Sequence, residues 1–151
     1  MLMMSQTAMQ EPVPIAIIAL NCCGRALLTR DMELIRKIIL EIQGRKDIRP
    51  TTMSIDGYDD IVVARHLELL MDAGLIEGVK SAPISTPHAI IMVKDMTWSG
   101  HDFAAAIDND GVWQKIKQAF SAKELTTLPL SVVKTVGIGL LEQIAKAKLG
   151  L

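Results

Sequence analysis

Aromatic side chains make up only 3% of this 151-residue chain, so any core must be aliphatic, with two tryptophans, two phenylalanines and one tyrosine as its largest rings. Cysteine is nearly absent. The two present, Cys22 and Cys23, are adjacent, and neighbours in sequence can neither staple distant segments nor offer the spacing of metal ligands. A reducing, cytoplasmic setting is expected. The chain also lacks an excess of charge of either sign: its formal net charge is −1, which removes the overall basic bias typical of nucleic-acid binders. The apolar run from Ile15 to Leu20 is broken by Asn21 and Arg25, far short of the roughly 20 residues a membrane span needs. No membrane partner is expected.

What is present is enough for one domain. Half of the residues are hydrophobic and 22% are charged, a balance that supports a proper core at this length. Residues 1–28 stand apart from that domain, with Met1, Met3, Met4 and Met9 crowded together and Pro12 and Pro14 interrupting. The only charge ahead of Ile15 is Glu11, whereas a secretory signal opens with a basic region. They read as an N-terminal extension outside the fold.

The stretch from Asp59 to Gly78 organises the remainder. Val63, His66, Leu67 and Leu70 share one side at helical spacing, widened by Val62, Leu69 and Ala73, while Asp60, Arg65, Glu68 and Asp72 point outward. Asp59 is expected to cap the first turn. Gly74 is expected to end the helix in a left-handed conformation, with Leu75 folding back on Leu70 before a strand begins at Leu75 and Ile76.

Upstream, Asp31 caps a predicted helix in which Ile35, Ile38, Ile39 and Ile42 face inward, Arg36, Lys37 and Glu41 face outward, and Gly44 is the stop. Arg45 to Asp56 reads as a loop with a short strand near Met53 to Ile55. Downstream, Leu75–Val79 and His88–Met96 read as a hairpin joined by a Pro- and Ser-rich turn. Thr97 then caps a helix from Trp98 that turns in Phe103, Ala106 and Ile107. An Asp108 to Gly111 turn leads into a helix bearing Val112, Trp113, Ile116 and Phe120. A last helix from Leu130 carries Val133, Val136, Leu140, Leu141 and Ile144; Gly137 and Gly139 within it cost about 1 kcal/mol each relative to alanine. That helix is expected either to cover the hairpin sheet and first helix or to pair with its copy in a homodimer.

Four separated blocks give the chain a family resemblance. Arg30-Asp31-Met32 with Leu34 to Ile38, then Gly57-Tyr58, then His66-Leu67 through Ala73-Gly74-Leu75-Ile76, and finally Thr97-Trp98-Ser99-Gly100-His101-Asp102-Phe103 with Trp113 behind it, resemble the bacterial, phage and prophage proteins of domain of unknown function 2513. Ser99 stands where that pattern tends to be acidic. The resemblance implies an α+β, winged-helix-like fold and a mobile-element setting, and it implies no activity. The expected organisation is an extension over 1–28, a winged-helix-like core over 29–97 and C-terminal helices over 98–151 packed on the same domain. The family pattern starts beside Leu28, so residues 1–27 are expected to be upstream sequence, with Leu28 read as the initiating methionine.

Nothing in the residue pattern demands a reaction. His66, His88 and His101 show no ligand spacing, and His101 and Asp102, as neighbours on a helix, point about 100° apart. No enzyme, cofactor or metal is expected. The functional expectation is a non-enzymatic, DNA-associated regulator of phage type, with a protein-binding module as the alternative. The expected nucleic-acid residues are Arg45, Lys46, Arg49, Arg65 and Lys80. Electrostatics already weigh against DNA: residues 31–96 hold eight Lys and Arg against eleven Asp and Glu, a net of −3.

Overall fold

Asp31 starts the described chain's first helix as its sequence suggests. In a computed structural model, which describes residues 29–151, the Asp31 carboxylate accepts from the backbone N–H groups of Glu33 and Leu34, two of the donors a helix N-terminus leaves unpaired. The expectations for the N-terminal extension and for the start site lie outside the described residues. Helix α1 (Met32–Gly44) buries Met32, Leu34, Ile35, Ile38, Ile39 and Ile42. Gly44 is its last helical residue, and the chain leaves through an extended Arg45. Arg36, expected to face water, instead donates to the Ile107 carbonyl at 2.8 Å and to Asp110 at 2.6 Å, tying α1 to the C-terminal helices.

The connector after α1 pairs with the hairpin two residues earlier than expected. Thr51 and Val93 exchange backbone hydrogen bonds of 3.0 and 2.9 Å, so the short strand near Met53 to Ile55 reduces to a single bridge at Thr51. Helix α2 (Asp60–Asp72) follows, burying Val63, His66, Leu67 and Leu70 as its period requires. Asp59 precedes it without capping it through its side chain; Asp60 accepts instead from the Ser54 hydroxyl at 3.1 Å.

The end of α2 matches its sequence closely. Gly74 adopts φ 67°, the Leu75 N–H donates to the Leu70 carbonyl at 3.0 Å, and the Gly74 N–H donates to Met71 at 2.9 Å. These are the two hydrogen bonds of a Schellman stop. Strands β1 (Ile76–Ser81) and β2 (Ile90–Met96) then form an antiparallel pair with an irregularity between Glu77 and Gly78. Thr51 bridges β2 on the edge away from β1, and α2 packs on both strands.

Four helices complete the chain. Helix α3 (Trp98–Asp108) is capped by Thr97, and α4 (Asp110–Ala119) by Asn109, whose side chain accepts from the Val112 N–H. The separating turn is therefore Asn109 alone, because Asp110 and Gly111 already belong to α4. A short helix α5 (Ala122–Thr127) carries a full capping box between Ser121 and Glu124. Sequence reading missed it, although Ser-x-x-Glu is the signature of that device. Helix α6 (Leu130–Leu149) packs on α3 and α4 rather than over the hairpin and α1. The reason lies at Gly137, where a methyl would stand 3.1 Å from the Ala106 Cβ and 3.6 Å from the Ile116 Cδ1; the missing side chain lets α6 close on that surface. One hydrophobic cluster joins α1, α2, the hairpin and α3 to α6, from Met32 to Val133. The fold is α+β, and among the described residues no helix is long and apolar enough to cross a membrane.

Candidate functional site

Two of the separated sequence blocks meet at one junction. The Thr97 N–H donates to the Leu75 carbonyl at 3.0 Å and the Thr97 hydroxyl donates to the Gly74 carbonyl at 2.6 Å, while the same hydroxyl accepts from the Gly100 N–H. The stop of α2 and the start of α3 are thus a single hydrogen-bonded unit. Gly100 is required there by contact: a methyl at this position would overlap the Leu75 carbonyl oxygen and stand 3.2 Å from the Met96 Cβ. Trp98, in the same block, projects outward and is 89% exposed.

His66 is a structural residue. It is fully buried, its Nε2 accepts from the Asp31 N–H at 2.8 Å, and its Nδ1 faces the Val62 carbonyl at 2.8 Å. That pairing requires the neutral tautomer with the proton on Nδ1, and it ties the α1 cap to α2. His88 lies in a cleft between α2 and β2 beside Ser54 and Asp60, and His101 lies at the opposite edge beside Lys46 and Lys94. The three histidines therefore occupy three different places. Among the described residues no group of three or more His, Cys, Asp or Glu is arranged to hold a metal ion.

The five residues expected to bind nucleic acid divide into two groups, Arg65 and Lys80 on α2 and β1, and Arg45, Lys46 and Arg49 in the connector after α1. Arg65 and Lys80 converge on one side, but on Glu68: Arg65 meets the carboxylate at 2.6 Å and Lys80 binds its other oxygen. Hydrogen bonds from Lys80 and then Arg65 hold the Glu68 carboxyl below its ordinary value. Arg45 is engaged in the fold, donating to the carbonyls of Val93 at 2.9 Å and Arg49 at 2.6 Å and pairing with Asp47 at 2.8 Å. Its side chain is only 16% exposed, and it holds Asp47 below the usual carboxylate range. Lys46 and Arg49 remain exposed near the Thr51 edge. Lys94 lines the same small cleft as Lys46, and sequence reading did not single it out because only the sheet brings β2 beside the end of α1.

The hairpin turn has a different character. Residues 82–89 contain no lysine or arginine, and Ile84 at their centre is fully exposed. On the α1 side, Tyr58 is half-buried under the Lys37 ammonium, 5.1 Å from its ring centre; burial and then the Asp31 carboxylate raise its phenol above the ordinary value.

These features define a small α+β protein in which a helix and an antiparallel hairpin are fastened to a C-terminal helical layer. The chain belongs to the family described as "Hypothetical protein (DUF2513)", whose pattern matches residues 29–126. It is also 30% identical over 118 residues to an uncharacterized protein of Haemophilus influenzae, covering 77% of this chain and 98% of that one. No solved structure matches the chain.

Proposed function

We propose that this chain is a non-enzymatic, winged-helix-like module that docks a protein partner, in a phage or prophage setting, rather than a duplex-DNA reader. The winged-helix reading is supported by the order of elements: α1, the Thr51 bridge to β2, α2, then the β1–β2 hairpin. The usual middle helix is replaced by the connector around Ile55 to Tyr58. Residues of α2 and the hairpin are then the surfaces such a fold offers to a partner.

The observation that carries the protein reading is the Glu68 clamp. Arg65 on α2 and Lys80 on β1 are the cations best placed to meet phosphates, and both are bound to one carboxylate. Phosphate binding draws its affinity from cations that replace condensed counterions, so two cations sharing one carboxylate contribute less than two free ones. The exposed Ile84 at a turn without basic residues favours an apolar contact on a protein surface. A photo-crosslinking residue at position 84, in cells of the native host, tests this. An adduct sensitive to protease and indifferent to nuclease supports the reading; a nuclease-sensitive adduct, or none, contradicts it.

A further inference from the structure

Arg30 presents a cation that the described fold does not pair. Its Nη2 donates to the Leu125 carbonyl at 3.1 Å, its Nε is buried with no hydrogen-bond partner, and among the described residues no carboxylate lies within ion-pair distance of it. Burial pulls its guanidinium below the ordinary arginine value. A partly desolvated guanidinium without a carboxylate partner is costly to hold, and an anion on its terminal N–H groups lowers that cost.

Arg30 lines a cleft of about 410 Å³ between the start of α1, the end of α4 and α5, a size typical of small-molecule sites. Trp113, Phe120, Leu125 and Met32 give it apolar walls. The two acidic residues at its rim are already engaged. Asp31 caps α1, while Glu33 accepts from the Trp113 indole at 3.3 Å and pairs with Lys117 at 3.2 Å. Asp31 also fills the helix N-terminus, and of the two cations lining the cleft Lys117 is paired with Glu33 whereas Arg30 has no carboxylate among the described residues. We propose that this cleft binds a small amphipathic monocarboxylate, its carboxylate on the Arg30 guanidinium and its apolar body against Phe120, beside the edges of Leu125 and Trp113.

The chain's two tryptophans make the test direct, because Trp98→Phe removes the exposed one and leaves Trp113 as the reporter. The full chain carrying that change is titrated with 4-phenylbutyrate and with the uncharged 4-phenylbutanol, following tryptophan fluorescence. Expected are a saturable millimolar response to the acid, at least about tenfold weaker binding of the alcohol, and a similar loss with Arg30→Gln. Ala122→Leu, which narrows the cleft while retaining Arg30, is expected to abolish the response. No saturation by the acid, equal binding of the alcohol, or unchanged binding in Ala122→Leu would each overturn the proposal.

Discussion

Replacing Gly100 by alanine places a methyl where the start of α3 lies against the stop of α2. The new carbon would overlap the Leu75 carbonyl oxygen and stand 3.0 Å from its carbon, against the 3.4 Å at which ordinary contact begins. The obstacle is backbone, so no side-chain rotation relieves it, and α3 must retreat or tilt. Overpacking of this kind costs about 1–3 kcal/mol. Retreat also stretches the Thr97 bonds to Leu75 and Gly74, at about 0.5–1.5 kcal/mol each. A total of about 2–6 kcal/mol corresponds to a fall in Tm on the order of 10 °C for a domain of this size. Gly139→Ala supplies the control: it is also a helical glycine, but an added methyl meets nothing within 4 Å, and the gain in helix propensity is up to about 1 kcal/mol. Thermal denaturation followed by circular dichroism should move the two variants in opposite directions. If Gly100→Ala melts within a degree of the parent chain, the junction does not fasten α3 as described.

Other substitutions probe the remaining contacts. Leu70→Ala is expected to cost about 2–5 kcal/mol in chemical denaturation, because Leu70 is fully buried; a loss no larger than that of a surface control would show the inward face of α2 to be misassigned. Gly74→Ala is expected to cost about 1 kcal/mol through its positive φ, and a neutral result would contradict the Schellman stop. Glu68 gives a pH dependence of known sign. Its folded value lies below the ordinary 4.5, so its contribution is present above that value and is lost as pH falls through the folded one. The stability difference between the parent chain and Glu68→Gln, about 1 kcal/mol or less for a pair this exposed, should therefore shrink on going from neutral to acidic melts; a difference that grows on acidification contradicts the clamp.

Local features of this fold were legible wherever the sequence specifies them through neighbours in the chain. The inward face of α2, the Gly74 stop and the Asp31 and Thr97 caps depend on spacings of a few residues, and each stands where the pattern put it. Asp59 does stand at the N-cap of α2 but makes no side-chain bond there, because a capping residue type does not by itself fix the geometry of capping. The site was less legible because it depends on distant partners. Glu68 and Lys80 meet only after the turn at Gly74 sends β1 back beside α2, and Arg45 meets Val93 only across the sheet edge. Counting charges over residues 31–96 weakened the DNA reading, but it could not reveal that three of the five expected cations are engaged within the fold.

Fluorescence anisotropy of a labelled random-sequence duplex, titrated with the full chain across a series of salt concentrations, tests the protein-docking reading most directly. No saturable binding is expected even at about 50 mM salt, since phosphate contacts require unengaged cations. Micromolar binding that weakens steeply with salt, on a slope corresponding to several neutralised phosphates, would contradict it.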